Sequence, residues 1–188
     1  HLVKGQDVGL SERLGYIFSQ FDPTVTWEDA EQMISEWNGP FAIKGILSPA
    51  DARQAVAIGA SAIIVSNHGG RQLDTVPGTL DCLPDIIAAV DGRAEVIIDG
   101  GIRRGTDVLK AMALGATACM IGRPYVYGLT IGGQAGVERV LEIFDTEIRR
   151  NLASVRLPAP PRLLRRRLPG PGHAGTQRQP HRVLPAGH

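Results

Sequence analysis

The chain is short of aromatics, of cysteine and of long apolar runs. Aromatic residues make up 5% of its 188 positions and there are two cysteines. A membrane-spanning helix needs ~20 consecutive apolar residues, and no run comes near that length. Cys82 and Cys119 form no CxxC pair and no metal-ligand spacing, so neither a disulfide framework nor a metal site is expected. They read as free thiols of a reducing cytoplasm, and no signal-peptide pattern opens the sequence. Residues 1–156 carry 14 Lys and Arg against 19 Asp and Glu. That acidic balance speaks against nucleic acid as a partner.

Glycine, by contrast, is abundant at 23 residues, and 43% of the chain is hydrophobic. Many Gly among Ala, Ile and Val suggest tight βα turns and close helix–sheet packing around one sizeable core. Four short apolar runs read as strands: PFAIKGI (40–46), ASAIIVS (60–66), AEVIIDG (94–100) and ATACMIG (116–122). Apolar residues at successive positions suit strands covered on both faces. Helical patterns lie between them. One begins at Pro49 behind a capping Ser48; CLPDIIAAV and RGTDVLKAMALGA follow, and a last helix is expected near 133–152. Gly59 and Gly115 stand where helix C-caps belong. Upstream, Thr26 caps a helix with Glu28 and Asp29 in its first turn. Residues 1–20 read as a loop or short helix.

This alternation predicts an α/β fold of four parallel βα units with right-handed crossovers. Four units are half of a TIM (β/α)8 barrel, and alone they would leave two strand edges open. The expectation is the C-terminal half of a longer barrel, with 1–26 as an entry segment, 27–153 as the half barrel and 154–188 as a tail. Residues 157–188 hold six Arg, seven Pro and no acid, a composition that predicts disorder. Either a natural basic tail or a changed reading frame near residue 154 would explain the abrupt switch.

Parallel barrels place their active sites at the C-terminal ends of the strands. Those ends carry Lys44, then Ser66, His68 and Arg71, then Asp99, Gly100, Gly101, Ile102 and Arg103, then Gly122 and Arg123. IDGGIRRGTD and IGRP would be the loops after strands 7 and 8, where phosphate is commonly held by backbone amides and a helix N-terminus. Arg103 or Arg123 could add a bidentate contact. Lys44 inside an apolar strand is either an edge lysine reaching for water or a cation held at the barrel mouth. His68 is the only histidine in the patterned region, a residue type that can take a proton from a substrate, whereas Arg71 offers a planar fork for a carboxylate. Together they suggest chemistry at the carbon next to a carboxylate. Asp99 suits a ribose-like hydroxyl, and Asp74 a turn.

FDPTVTWED, IKGI, SNHGGRQLD, DGGIRRGTDV and IGRP together resemble the FMN-dependent L-2-hydroxy acid oxidases and dehydrogenases, over roughly residues 14–153. The resemblance implies FMN as cofactor and oxidation of a small L-2-hydroxy acid, such as lactate or glycolate, to the 2-oxo acid. It implies Lys44 beside the flavin N1 and C2 carbonyl, Ser66 hydrogen-bonded to the flavin, His68 as proton acceptor and Arg71 as carboxylate clamp. Asp99, Gly100, Gly101, Ile102, Arg103, Gly122 and Arg123 would hold the ribityl chain and phosphate. It further implies a homo-oligomer in the intact parent, and a cytoplasmic location with peripheral contact to the inner face of a membrane as a variant. The family's first four strands have no counterpart in this sequence, so this chain alone is expected to be inactive. The competing expectations are another phosphate-binding flavin barrel and an inactive binding fragment.

Overall fold

A computed structural model describes residues 9–155. The tail expected over 154–188 lies outside the described residues from 156 onward, and positions 154–155 end the last helix. Two helices, α1 (Leu10–Ser19) and α2 (Trp27–Trp37), precede the sheet. Then β1 (Ala42–Ile46), α3 (Pro49–Ala57), β2 (Ala62–Val65), α4 (Thr79–Val90), β3 (Glu95–Ile98), α5 (Gly105–Ala113), β4 (Ala118–Cys119) and α6 (Arg123–Val155) alternate. The strands run parallel in the order β1-β2-β3-β4, so each βα unit packs beside the one before it, as an arc of a (β/α)8 barrel does.

Local chemistry accounts for the helix ends. Thr26 and Asp29 form a reciprocal capping box, with the Thr26 amide donating to Asp29 at 2.8 Å and the Asp29 amide to Thr26 Oγ1 at 3.3 Å. Ser48 Oγ accepts from the Asp51 amide at 3.1 Å ahead of Pro49. Gly59 and Gly115 lie one position beyond the caps Ile58 and Leu114, with φ of 95° and 105°, as the residue that ends a helix in the left-handed region does.

The apolar runs suggested strands covered on both faces, but among the described residues only one face of the sheet is covered. Ile63, Val65, Val96 and Ile98 are buried against Ala52 and Ala55 of α3, Leu83, Ile86 and Val90 of α4, and Ala111 of α5. The opposite face carries Lys44, Ile64 and Ile97, which are exposed or half-buried, because no described element packs on it. The register shifts between Lys44 and Ile46, around Gly45 with its φ of 103°. This bulge leaves Lys44 paired with Ile64 on the open face while Ile46, paired with Val65, enters the core.

Two elements differ from expectation. Strand β4 is only Ala118–Cys119, although the bonds Thr117 N to Val96 O (2.7 Å) and Met120 N to Ile98 O (2.8 Å) extend its pairing at each end. The last helix begins at Arg123, earlier than periodicity predicted, and breaks at Gly132 and Gly133. The expected helix near 133–152 is its second arm. The two arms meet where Gly128 and Gly136 pack backbone to backbone, a contact that a Cβ on either residue would block. No helix among the described residues is long and apolar enough to cross a membrane.

Candidate active site

Three strand ends bring a charged cluster together. Ser66, the residue after β2, is buried, and its Oγ accepts from Lys44 Nζ at 2.7 Å and from the His68 amide at 3.2 Å. Lys44 Nζ also lies 2.9 Å from Asp99 Oδ2, just past β3. The other carboxylate oxygen, Asp99 Oδ1, is buried and has no hydrogen-bond partner. Such an acceptor is costly unless something donates to it, and a ligand hydroxyl is one group that could.

The segment after Ser66 winds through three consecutive left-handed residues. His68, Gly69 and Gly70 have φ of 55°, 69° and 71°, and for a non-glycine residue such a φ marks a position held by its surroundings. Asn67 holds this turn. Its side-chain oxygen accepts from the Gly69 amide at 3.1 Å and its carbonyl from the Gly70 amide at 3.0 Å. The imidazole lies over β1, where a Cβ on Gly45 would sit 3.3 Å from His68 Cε1. Thr79 Oγ1 donates to the Gly100 carbonyl at 3.2 Å. A Cβ on Gly100 would sit 3.0 Å from Asn67 Oδ1 and 3.2 Å from Thr79 Oγ1. The β2 and β3 loops are thus packed together at a glycine.

Arg123, expected as a phosphate ligand, reaches across to the β2 loop and donates to the Gly69 carbonyl at 3.3 Å. One contact of its fork is used there, which leaves other donors for an anion. The side chains of Arg71 and Arg103 are exposed and have no partner among the described residues. Nothing stands within 4 Å of where a Cβ would be on Gly101 or Gly122, so both leave backbone open to a ligand. Ile102 is only 5% exposed; its side chain belongs to the interior, and only its backbone can serve a site. Lys44, Ser66, Asp99 and His68 are therefore joined by contacts and Arg123 touches the same loop at Gly69, whereas Arg71 and Arg103 flank them unattached.

Sequence reading passed over Asn67, Thr79 and the carboxylates at the start of α5. Asp107 Oδ2 accepts from the amides of Arg103 and Arg104 at 3.0 and 2.9 Å, a cap legible in the short spacing RRGTD. Glu147, in the second arm of α6, left no such sign. It accepts from the Gly105 amide at 2.8 Å and from Arg104 Nε at 2.9 and 3.1 Å, with the Arg104 terminal nitrogen at 2.6 Å. The Arg104 fork, followed by the Gly105 amide, holds the Glu147 carboxyl below the usual glutamate range. A carboxyl whose folded-state pKa is depressed stabilises the fold above its unfolded pKa, and that contribution disappears as pH falls through the folded value. Urea midpoints measured against pH are expected to drop below the ordinary glutamate range. Glu147→Gln should flatten that limb; an unchanged acid limb in the variant would contradict the assignment. Burial pushes the Cys119 thiol up to about 11, and burial with Asp81 and Asp85 raises Cys82, so neither thiol is activated as a nucleophile.

Comparison with known proteins places the chain in one family. The profile of the family described as FMN-dependent dehydrogenase matches residues 4–160. An L-lactate oxidase of Nostoc sp. is 53% identical over 140 residues, which are 74% of this chain and 38% of that protein. An L-lactate dehydrogenase of Xanthomonas campestris pv. campestris is 49% identical over 146 residues, 78% of this chain and 38% of its own length. The chain thus spans about two fifths of these curated relatives. Among solved structures, a variant of mandelate oxidase with (S)-mandelic acid superposes with a TM-score of 0.69 at 48% identity, covering 72% of this chain and 40% of that one. Another variant, holding a monooxide FMN adduct, gives 0.68 at 48% identity over 71% of this chain and 42% of that one.

Proposed function

The chain belongs to the FMN-dependent dehydrogenase family, and we propose that it carries the flavin- and acid-binding side of an enzyme that oxidises an L-2-hydroxy acid to the 2-oxo acid. The observation that carries this reading is the meeting of Lys44, Ser66 and Asp99 beneath the His68 turn, with Asp99 Oδ1 buried and unpartnered. FMN is the cofactor of the family, and these residues fit it. Asp99 Oδ1 would accept from a ribityl hydroxyl, and Lys44 would place its ammonium beside the electron-rich end of the isoalloxazine. Ser66 would add a hydrogen bond. The open backbone at Gly101 and Gly122, with the neighbouring backbone of Gly100 and Ile102 and the forks of Arg103 and Arg123, would hold the phosphate.

When bound, FMN supplies the acceptor for the two electrons that leave the 2-hydroxy carbon. The chain's own groups do the rest. Arg71 would clamp the substrate carboxylate with its planar fork, which fixes the hydroxyl-bearing carbon relative to the imidazole. His68 would take up the proton released at that carbon, as an imidazole acting as general base can. The Asn67 and Ser66 hydrogen bonds keep the His68 backbone in its left-handed conformation, so the imidazole is held over Gly45 without reorganisation.

Two measurements test the reading. The purified 188-residue chain titrated with FMN should take up flavin, and Asp99→Ala should abolish that uptake; a wild-type chain that stays colourless contradicts the flavin site. In catalytically competent protein carrying this sequence, Arg71→Lys is expected to raise KM for L-lactate about 10- to 100-fold, since a point charge cannot replace a bidentate fork. An unchanged KM would remove Arg71 from the clamp.

A further inference from the structure

The turn Gly100–Gly101 has no side chains of its own to hold it, and both residues are left-handed, with φ of 85° and 77°. Its conformation is therefore set by what anchors its ends. Upstream, the Asp99 amide donates to the Val65 carbonyl at 3.0 Å and the Gly100 carbonyl accepts from Thr79. Downstream, the amides of Arg103 and Arg104 are held by Asp107, a residue of α5 itself that moves with it. Only Glu147, among the described residues at this helix start, comes from another helix. It takes the Gly105 amide at 2.8 Å and both nitrogens of the Arg104 fork. The approach is close: a Cβ on Gly105 would lie 2.6 Å from Glu147 Cβ and 2.7 Å from the Ile148 amide nitrogen. Glu147 is itself 8% exposed, so its carboxylate is committed to these partners and is not a solvated surface charge.

With the Arg103 and Arg104 amides ahead of α5 taken by Asp107 and the Gly105 amide that opens it taken by Glu147, the start of α5 has few donors left for an anion. A phosphate must be met by the amides of Gly101 and Ile102, by the forks of Arg103 and Arg123, and by the start of α6. We propose that Glu147 is a positioning residue for this phosphate subsite: by tying α5 to the second arm of α6 it fixes the Gly100–Gly101 turn that presents the amides. The proposal rests on the flavin reading above for the identity of the anion, but the clamp itself is a property of the chain.

The test compares FMN with riboflavin, which lacks the phosphate, on the full chain and on Glu147→Gln, by fluorescence titration. Glu147→Gln is expected to weaken FMN about tenfold, the scale of losing a charge-assisted hydrogen-bond pair, and to leave riboflavin unchanged. A merely structural strut would weaken both alike or neither, and either outcome overturns the proposal. Hydrogen exchange on the flavin-free chain gives a second readout. The Arg103 and Arg104 amides, which Asp107 holds between the turn and α5, should exchange about tenfold faster in the variant, with those of α3 and α4 unaltered; unaltered exchange at Arg103 and Arg104 overturns the proposal whether or not flavin binds. A wild-type chain that binds neither flavin would refute the flavin reading alone, and the exchange result would then decide the clamp. Should Glu147→Gln fail to fold, Arg104→Gln, which keeps the Gly105 bond, carries the same comparisons with the same deciding outcomes.

Discussion

In catalytically competent protein carrying this sequence, replacing His68 with Asn is expected to slow anaerobic flavin reduction by L-lactate about 10²- to 10⁴-fold, the range that a positioned general base contributes, while FMN stays bound. Asn is the informative replacement because the position is left-handed, with φ of 55°. Asn tolerates that region better than most residues, so the turn should survive while the imidazole is lost. The flavin contacts assigned to Lys44, Ser66 and Asp99 do not pass through the His68 ring. Its amide donates to Ser66 Oγ at 3.2 Å, and that bond remains in the variant. Stopped-flow measurement of the loss of flavin absorbance separates the outcomes. A fall of less than about tenfold would give the proton to another group, and parallel loss of FMN would mean that the turn had collapsed.

Gly105→Ala should destabilise the chain by about 1–3 kcal/mol, against the usual direction for glycine in a helix. Two effects compete at this position. Ala is ordinarily better than Gly inside a helix by up to ~1 kcal/mol. Here, however, the new methyl would meet Glu147 Cβ at 2.6 Å, the Ile148 amide nitrogen at 2.7 Å and the Glu147 carbonyl carbon at 3.0 Å. Two of these are backbone atoms of another helix and cannot rotate away, so overpacking at about 1–3 kcal/mol wins. The displaced helix would also pull the Glu147 carboxylate off the Gly105 amide. Gly15→Ala in α1 is the matched control: nothing lies within 4 Å of its Cβ position, and it should be neutral or stabilising. Urea unfolding of the two variants decides the matter. If Gly105→Ala matches the wild type, the tight approach of α6 to α5 is wrong.

How legible the fold was varied with the distance over which each feature is encoded. The capping box of Thr26 and Asp29 and the cap of Ser48 on α3 span three residues each, and both were readable. The glycine breaks were readable less completely. Gly59 and Gly115 marked helix ends, but Gly132 and Gly133 gave no sign that a helix would run on both sides of them. Strand ends were overdrawn for β4, since an apolar run shows where a strand can lie and the partner strand decides how much of it pairs.

The candidate site divides in the same way. Spacing alone placed His68, Arg71, Lys44, Asp99 and the glycine turns at strand ends, because parallel βα units put every loop after a strand on one rim. It assigned Arg123 to an anion and did not show that its fork also bridges 54 positions to the Gly69 carbonyl. Ile102 read as part of a ligand loop, yet its side chain fills the interior.

What the linear order of residues determined was the alternation of strand and helix, the caps and the set of polar groups delivered to one rim, all of which follow from periodicity and neighbours a turn or less away. Only the folded chain decided which of those groups touch. Lys44 meets Ser66 across 22 positions and Arg104 meets Glu147 across 43. Such contacts depend on strand register, on the bulge at Gly45 and on the angle at which α6 lies against α5, and no local pattern encodes them.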